Sequence, residues 1–200
     1  MSRVIITAHN NAAKYVQAAR ALKASIRANA SESAKIFVVS DLGTVSRTKA
    51  MCARADLLLR ALEGGCSMAA WLDCDTLVRG SLIGMWDDVG EDTIRVLYRE
   101  SEDRPEFKFN SGVIVVGRGK HTRSLLLSWM KEMATDSSPL SDQRQLWLNY
   151  WQMRRKIRLA RLPIKYNDCH FAADSMIWHG KGNSTYRSPA WFREYAKYVS

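Results

Sequence analysis

Two aspartates one residue apart, Asp73 and Asp75, follow an apolar run, Ala69-Ala70-Trp71-Leu72, and precede another segment, Thr76-Leu77-Val78. Carboxylates this close repel one another unless a cation sits between them. Oxygen ligands of this kind suit Mg²⁺ or Mn²⁺, which keep coordination positions open for substrate phosphates. The chemistry on offer is metal-assisted departure of a phosphate-bearing group. The other reading of the pair is two surface aspartates at a strand end whose side chains cap the next turn. Apolar residues on both sides pin the loop, and that favours the metal.

The elements that must position this pair follow from the hydrophobic pattern. Arg3–Ala8, Lys35–Ser40 and Met68–Leu72 read as buried strands, with Arg95–Tyr98 and Gly112–Val116 as further strands. Asn11–Asn29, Ser46–Leu62, Thr122–Ala134 and Ser141–Tyr150 carry helical spacing, with Gly64-Gly65 closing the second and Ser141 suited to cap the fourth. Ile157–Leu162 looks strand-like, Met176–Trp178 is a short apolar run ending in His179, and Ser188–Ser200 suits an aromatic-basic helix. Strand–helix–strand–helix–strand implies parallel crossovers, hence an α/β sheet covered on both faces. Ligands of such sheets collect beyond the carboxyl ends of the strands, where Thr7, Asp41 and Asp73 lie.

With these residues in place, the sequence resembles the family 8 retaining glycosyltransferases, the group that includes glycogenin and bacterial lipopolysaccharide galactosyl- and glucosyltransferases. The likeness runs from about Val4 to Gly182. Leu72-Asp73-Cys74-Asp75-Thr76-Leu77-Val78 looks like the family's L/M-D-A-D-T-L-V. Phe109-Asn110-Ser111-Gly112-Val113 is similar to its F-N-S/A-G-V, Asp142-Gln143 to its D-Q pair, and Leu162-Pro163 with Tyr166-Asn167 to its L-P-x-x-Y-N. His179-Gly180-Lys181-Gly182 matches the start of its H-x-x-G-x-x-K-P.

The resemblance implies the GT-A fold, an α/β architecture with a mostly parallel central sheet flanked by helices. With no internal repeat, low-complexity segment or linker, residues 1–200 read as one domain, which the resemblance divides into a nucleotide-sugar-binding half at about 1–117 and an acceptor half at about 118–200. Asp73, Asp75 and His179 would hold Mn²⁺ or Mg²⁺. Thr7, Ala8 and Tyr15 would line the nucleoside pocket, Tyr15 stacking on the base, although Tyr15 also fits a core aromatic on the first helix. Lys49, Cys74, Gly180, Lys181 and Gly182 would complete the donor site beside Asp73. Asn110, Asp142 and Gln143 would contact the donor sugar as the catalytic set. The implied reaction transfers a hexose from a UDP-sugar to a hydroxyl acceptor with retention, the acceptor being a glycan, a lipid-linked glycan or a protein. The chain departs from the family after Gly182, where Asn183-Ser184-Thr185-Tyr186-Arg187 replaces K-P-W. Lys181 and Arg187 are the candidate substitutes for the lysine that grips the diphosphate.

Composition bounds the remaining classes. In 200 residues, 46% are hydrophobic and 25% charged, enough apolar surface for a core without disulfides or structural metal. No run approaches the roughly 20 apolar residues of a membrane span, and Met1-Ser2-Arg3 opens onto a run too short for a signal peptide. The expectation is a cytoplasmic protein with four reduced cysteines. The net charge of +10 draws polyanions, whether phosphorylated substrates, anionic lipid or nucleic acid. The basic run Arg154-Arg155-Lys156-x-Arg158 and the tail Trp191–Val199 allow peripheral contact with the inner face of a membrane. A metal-dependent nucleotidyltransferase or phosphohydrolase would use the same aspartates, but no phosphate-cradling glycine loop is present. A basic nucleic-acid-binding module would need a motif of that class, and none occurs, so no specific nucleic-acid binding is expected.

Overall fold

Alternating side chains along the central strands divide between two cores. Val4 and Ile6, Ala69 and Trp71, and Ile114 and Val116 face one side, while Ile5, Met68, Ala70, Leu72, Val113 and Val115 face the other. That period of two, with both faces apolar, is what a sheet sandwiched between two layers requires. The computed structural model describes residues 2–30, 37–45, 47–136, 138–180 and 188–199. Its strands are β1 (Arg3–His9), β2 (Phe37–Asp41), β3 (Met68–Leu72), β4 (Thr76–Val78), β5 (Thr93–Tyr98), β6 (Phe109–Gly117), β7 (Arg158–Arg161) and β8 (Ile177–His179). Its helices are α1 (Ala13–Asn29), α2 (Arg47–Glu63), α3 (Pro105–Lys108), α4 (Lys120–Thr135), α5 (Ser141–Met153) and α6 (Pro189–Val199).

The six-stranded sheet has the order β2-β1-β3-β6-β5-β7. β1 pairs in parallel with β2 and β3, and β5 with β7, while β6 runs antiparallel to both β3 and β5. Only β6 is reversed, so the carboxyl ends of the other strands open on one edge. The sequence predicted the three-strand parallel start; the reversal at β6 follows from the excursion of residues 99–108, which turns the chain back beside β5. Side chains of α2, α4 and α5 build one core, and those of α1, β8 and the segment around Leu82–Val89 build the other.

A separate ribbon pairs β4 antiparallel with β8, Thr76 opposite His179. Asp168 secures the approach to β8. Its buried carboxylate accepts from the backbone N–H groups of His170 and Ala172 and from Ser175 Oγ, each at 2.7 Å. Burial opposes its ionisation, but the His170, Ser175 and Ala172 donors outweigh it and hold the carboxyl below the usual range. A carboxyl depressed in the folded state contributes stability above its unfolded pKa and loses it as pH falls through the folded one. Asp168→Ala is expected to cost about 2–4 kcal/mol at neutral pH and to flatten the acid limb of the melting-temperature profile below about pH 4. Thermal melts from pH 2 to 7 check this; parallel profiles for the two proteins would show that the carboxylate has no such role.

The tail helix α6 buries Trp191 and Tyr195 and leaves Phe192 exposed. Asn29 donates to Tyr198 Oη at 2.8 Å, tying α6 to the end of α1. Ser141 does not cap α5: the cap position is Leu140, in left-handed backbone at φ 60°, and Ser141 Oγ is buried with no hydrogen-bond partner among the described residues. The preceding loop is held instead by Asp136, which accepts from Ser138, Gln145 and Arg144. No described helix is long and apolar enough to cross a membrane.

Candidate metal centre and its two cavities

β3 delivers Asp73 to the carboxyl edge of the sheet, where its N–H donates to Gly112 O at 2.8 Å. Thr76 donates to Asp73 O through both its N–H and its hydroxyl, at 3.0 and 2.7 Å. The Asp73–Asp75 turn is thus fixed at both ends before any ligand arrives. The β4–β8 ribbon then brings in His179, and Gly180 N–H donates to Asp75 O at 2.8 Å. His179 Nε2 lies 3.4 Å from Asp73 Oδ2 and 3.7 Å from Asp75 Oδ1. One ligand atom from each of the three residues falls within 4.8 Å of the others.

The imidazole is oriented from behind. Its Nδ1 lies 2.8 Å from Asn167 Oδ1, an acceptor that takes an Nδ1–H and leaves Nε2 to face the acids. Asn167 is buried and donates to Asn110 O at 3.1 Å. Burial opposes a charge on His179, but the Asp73 hydrogen bond, the Cys169 contact and both aspartates together push its pKa up to about 10. A cation at this position would take the place of that proton, since metal ligands must be deprotonated. Two carboxylates and an imidazole nitrogen held by a buried amide form a donor set suited to Mn²⁺ or Mg²⁺.

Sequence reasoning missed Arg54, the charge that organises the other side of the acids. It is buried on α2, with Nη2 donating to Asp73 Oδ1 at 2.8 Å and Nη1 to Asp142 Oδ2 at 2.7 Å and Ser111 Oγ at 2.6 Å. Trp71 Nε1 also donates to Asp73 Oδ1, at 2.7 Å. Burial works against ionisation of Asp73, but Arg54 and then His179 hold its carboxyl well below the usual range. Arg54 stays charged for the reciprocal reason: burial disfavours the guanidinium, and Asp73 and Asp142 more than compensate. The available signal was its spacing from Ala50, Met51 and Leu58, which puts a cation on the apolar face of α2, where it must have an acidic partner.

Gly112 explains the glycine of the Asn110-Ser111-Gly112 segment. A Cβ there would meet His179 Cε1 at 2.0 Å and Nδ1 at 2.3 Å. The rigid ring, fixed by Asn167, has no torsion that relieves this without leaving the acids. Gly112→Ala is therefore expected to lower Mn²⁺ affinity by at least about tenfold, the scale of losing a ligand's positioning contact. Calorimetric titration with Mn²⁺ reads this directly, and unchanged affinity would contradict the placement of His179.

Two cavities meet at these acids. A cleft of about 590 Å³ is lined by Ala8, His9, Tyr15, Met51, Arg54 and Trp71 together with Asp73, Cys74 and Asp75. A second cavity of about 400 Å³ is lined by Asp73, Asp75, Asn110, Asp142, Gln143, His179 and Gly180, among others. The structure thus assembles eight of the candidate positions at the two cavities that meet at Asp73 and Asp75, with Ala8 and Tyr15 also lining the cleft. Thr7 is fully buried, and its hydroxyl has no described partner. Lys49 is exposed, one position before Ala50, which does line the cleft. Lys181, Gly182 and Arg187 lie outside the described residues. Cys74 sits between the acids, and burial pushes its thiol far up, so it is an inert wall rather than a nucleophile.

The fold is that of the GT-A glycosyltransferases, a mixed α/β sheet flanked by helices. Among solved structures, a glycosyltransferase involved in the glycosylation of the major capsid of PBCV-1 matches 98% of this chain and 100% of its own, at TM-score 0.66 and 13% identity. The galactosyltransferase LgtC, in complex with donor and acceptor sugar analogs, matches over 98% of this chain and 96% of its own, at TM-score 0.57 and 15% identity. The bifunctional glycosyltransferase WbbM matches at TM-score 0.68 and 12% identity, this chain spanning 50% of its length. No protein-family model and no curated protein matches the sequence.

Proposed function

We propose that the chain is a metal-dependent glycosyltransferase that moves a hexose from a UDP-sugar to a hydroxyl acceptor. One observation carries the reading: Asp73 and Asp75 line both cavities, so a cation held by them and His179 stands between a nucleoside-sized cleft and a sugar-sized one. When bound, that cation supplies neutralisation of the departing diphosphate. Tyr15 lines the cleft and would stack on the base with the ring face not covered by Lys14 Nζ, which lies over the ring at 4.8 Å. Asp142, locked by Arg54 and Ser111, and Asn110, set by its place at the start of β6, accept from and donate to sugar hydroxyls. Gln143 bridges Ser111 N–H at 3.3 Å and Glu106 O at 3.3 Å, closing the sugar cavity from the α5 side. Retention of configuration enters through the family resemblance. Residues 1–117 carry the nucleotide side in this reading, and residues 118–200 contribute Asp142, Gln143 and His179 as well as the acceptor side. The acceptor hydroxyl belongs to a glycan, a lipid-linked glycan or a protein, met in the cytoplasm or at the inner face of a membrane.

The test is a melting-temperature comparison with UDP, GDP, CDP and ADP sugars, with and without Mn²⁺. A ligand present at a hundred times its dissociation constant stabilises the native state by about 2.7 kcal/mol, or roughly 5–10 °C in a chain of this size. UDP-sugars are expected to reach this only with Mn²⁺. Absence of a metal-dependent shift with every nucleotide sugar sinks the reading.

A further inference from the structure

The second cavity has a wall to which the donor reading assigns no task. At the end of β5 the chain leaves the sheet at Arg99 and returns at Phe109. The excursion is braced: Arg99 N–H donates to Lys108 O at 2.9 Å, Lys108 Nζ to Glu100 O at 3.2 Å, and Gln143 Nε2 to Glu106 O at 3.3 Å. Arg99 and Phe107 from this segment, with Leu140 before α5, line the cavity that holds Asp73, Asp75 and His179.

Of the charged side chains that line this cavity, all but Arg99 face an opposite charge among the described residues. Arg54 is committed to Asp73 and Asp142, and His179 faces Asp73 and Asp75. Of the excursion's acids, Glu100 pairs with Arg161 at 2.9 Å and Glu102 with Arg104 at 3.3 Å, while Asp103 and Glu106 have no ion pair among the described residues. Arg99 has no carboxylate within 4.0 Å among the described residues, and its guanidinium makes a single described hydrogen bond, Nη1 to Phe107 O at 2.9 Å. A guanidinium carries five N–H donors in a planar fork that matches phosphate and carboxylate oxygens. Phe107 lines the same wall; the Arg104 guanidinium lies over its ring at 4.2 Å, which leaves only the other face for the C–H side of a sugar.

We propose that Arg99 and Phe107 form an acceptor subsite, and that the acceptor carries an anionic group, phosphate or carboxylate, on a sugar-like body. The proposal rests on the glycosyltransferase reading and goes beyond it by naming the acceptor's chemistry. A surface of net charge +10 gathers such acceptors from solution.

The experiment is calorimetric titration of the protein saturated with UDP and Mn²⁺, using glucose, glucose 6-phosphate and glucuronate. At least one anionic sugar is expected to bind about tenfold or more tightly than glucose, the scale of one charge-assisted hydrogen-bonded contact. Comparison of the two anions identifies whether phosphate or carboxylate is preferred. Arg99→Gln is expected to erase the advantage, Arg99→Lys to retain part of it, and both to leave UDP affinity unchanged. Anions that bind no better than glucose, or do not bind, overturn the proposal, as does an advantage that survives in Arg99→Gln. Weaker UDP binding in Arg99→Gln overturns it too, by assigning the arginine to the donor. Failure of UDP itself to bind with Mn²⁺ strikes the glycosyltransferase reading, and the acceptor subsite falls with it.

Discussion

Asp73→Asn is expected to lower sugar transfer, or hydrolysis of the donor in the absence of acceptor, by at least about a thousandfold, the upper range for removing one preorganised electrostatic contact. The substitution is nearly isosteric. Oδ1 of the new amide can still accept from Arg54 Nη2 and Trp71 Nε1, so the turn after β3 keeps its shape. What is lost is the negative charge that faces His179 Nε2 at 3.4 Å and completes the three-residue donor set. Mn²⁺ affinity should fall with activity, and the melting temperature without metal should move much less than in the Arg54 variant below. The informative pair of measurements is donor turnover against Mn²⁺ concentration and a melt without metal. Undiminished turnover would show that the reaction does not pass through this site.

Arg54→Met should have the larger structural effect. The methionine fits the apolar face of α2, but it leaves Asp73 and Asp142 in one partly buried region without the guanidinium that both share. Removing one partner of a buried charge network costs about 3–5 kcal/mol, which is roughly 6–20 °C of melting temperature at this chain length. Activity should also fall, because Asp142 loses the contact that holds it at the wall of the second cavity. Arg54→Lys restores the charge but one ammonium cannot reproduce the fork that reaches both acids and Ser111. It is expected to recover stability in part and activity less. Asp142→Asn in the Arg54→Met background removes the orphaned charge, so it should regain stability, a coupling visible in a double-mutant cycle. An Arg54→Met protein that melts with the wild type would mean that the acids are solvated and the bridge is unimportant.

These two residues also mark the boundary between local and tertiary information. Asp73 could be read from the chain because its meaning is local: an apolar strand, two carboxylates one residue apart, and a second apolar segment. The same holds for the strands themselves, since Val4-Ile5-Ile6 or Gly112–Val116 must be buried on both faces wherever they sit, and for the helices whose apolar spacing is 3.6. For Arg54 the helical spacing signals only a cation on an apolar face that needs an acidic partner, and nothing near it in sequence says which one. It becomes decisive only when β6 and α5 bring Ser111 and Asp142 against it.

The chain's own pattern therefore specified the α/β layering and the acidic turn, since each depends on the periodicity and chemistry of neighbours in sequence, while the other candidate site residues came from the family resemblance. Folding decided the rest. The reversed β6, the β4–β8 pairing that delivers His179, the missing side chain at Gly112 that leaves room for its ring, and the buried amide of Asn167 behind it are contacts between segments far apart along the chain. Such contacts are set by the packing of whole elements against one another, a property that no window of sequence contains.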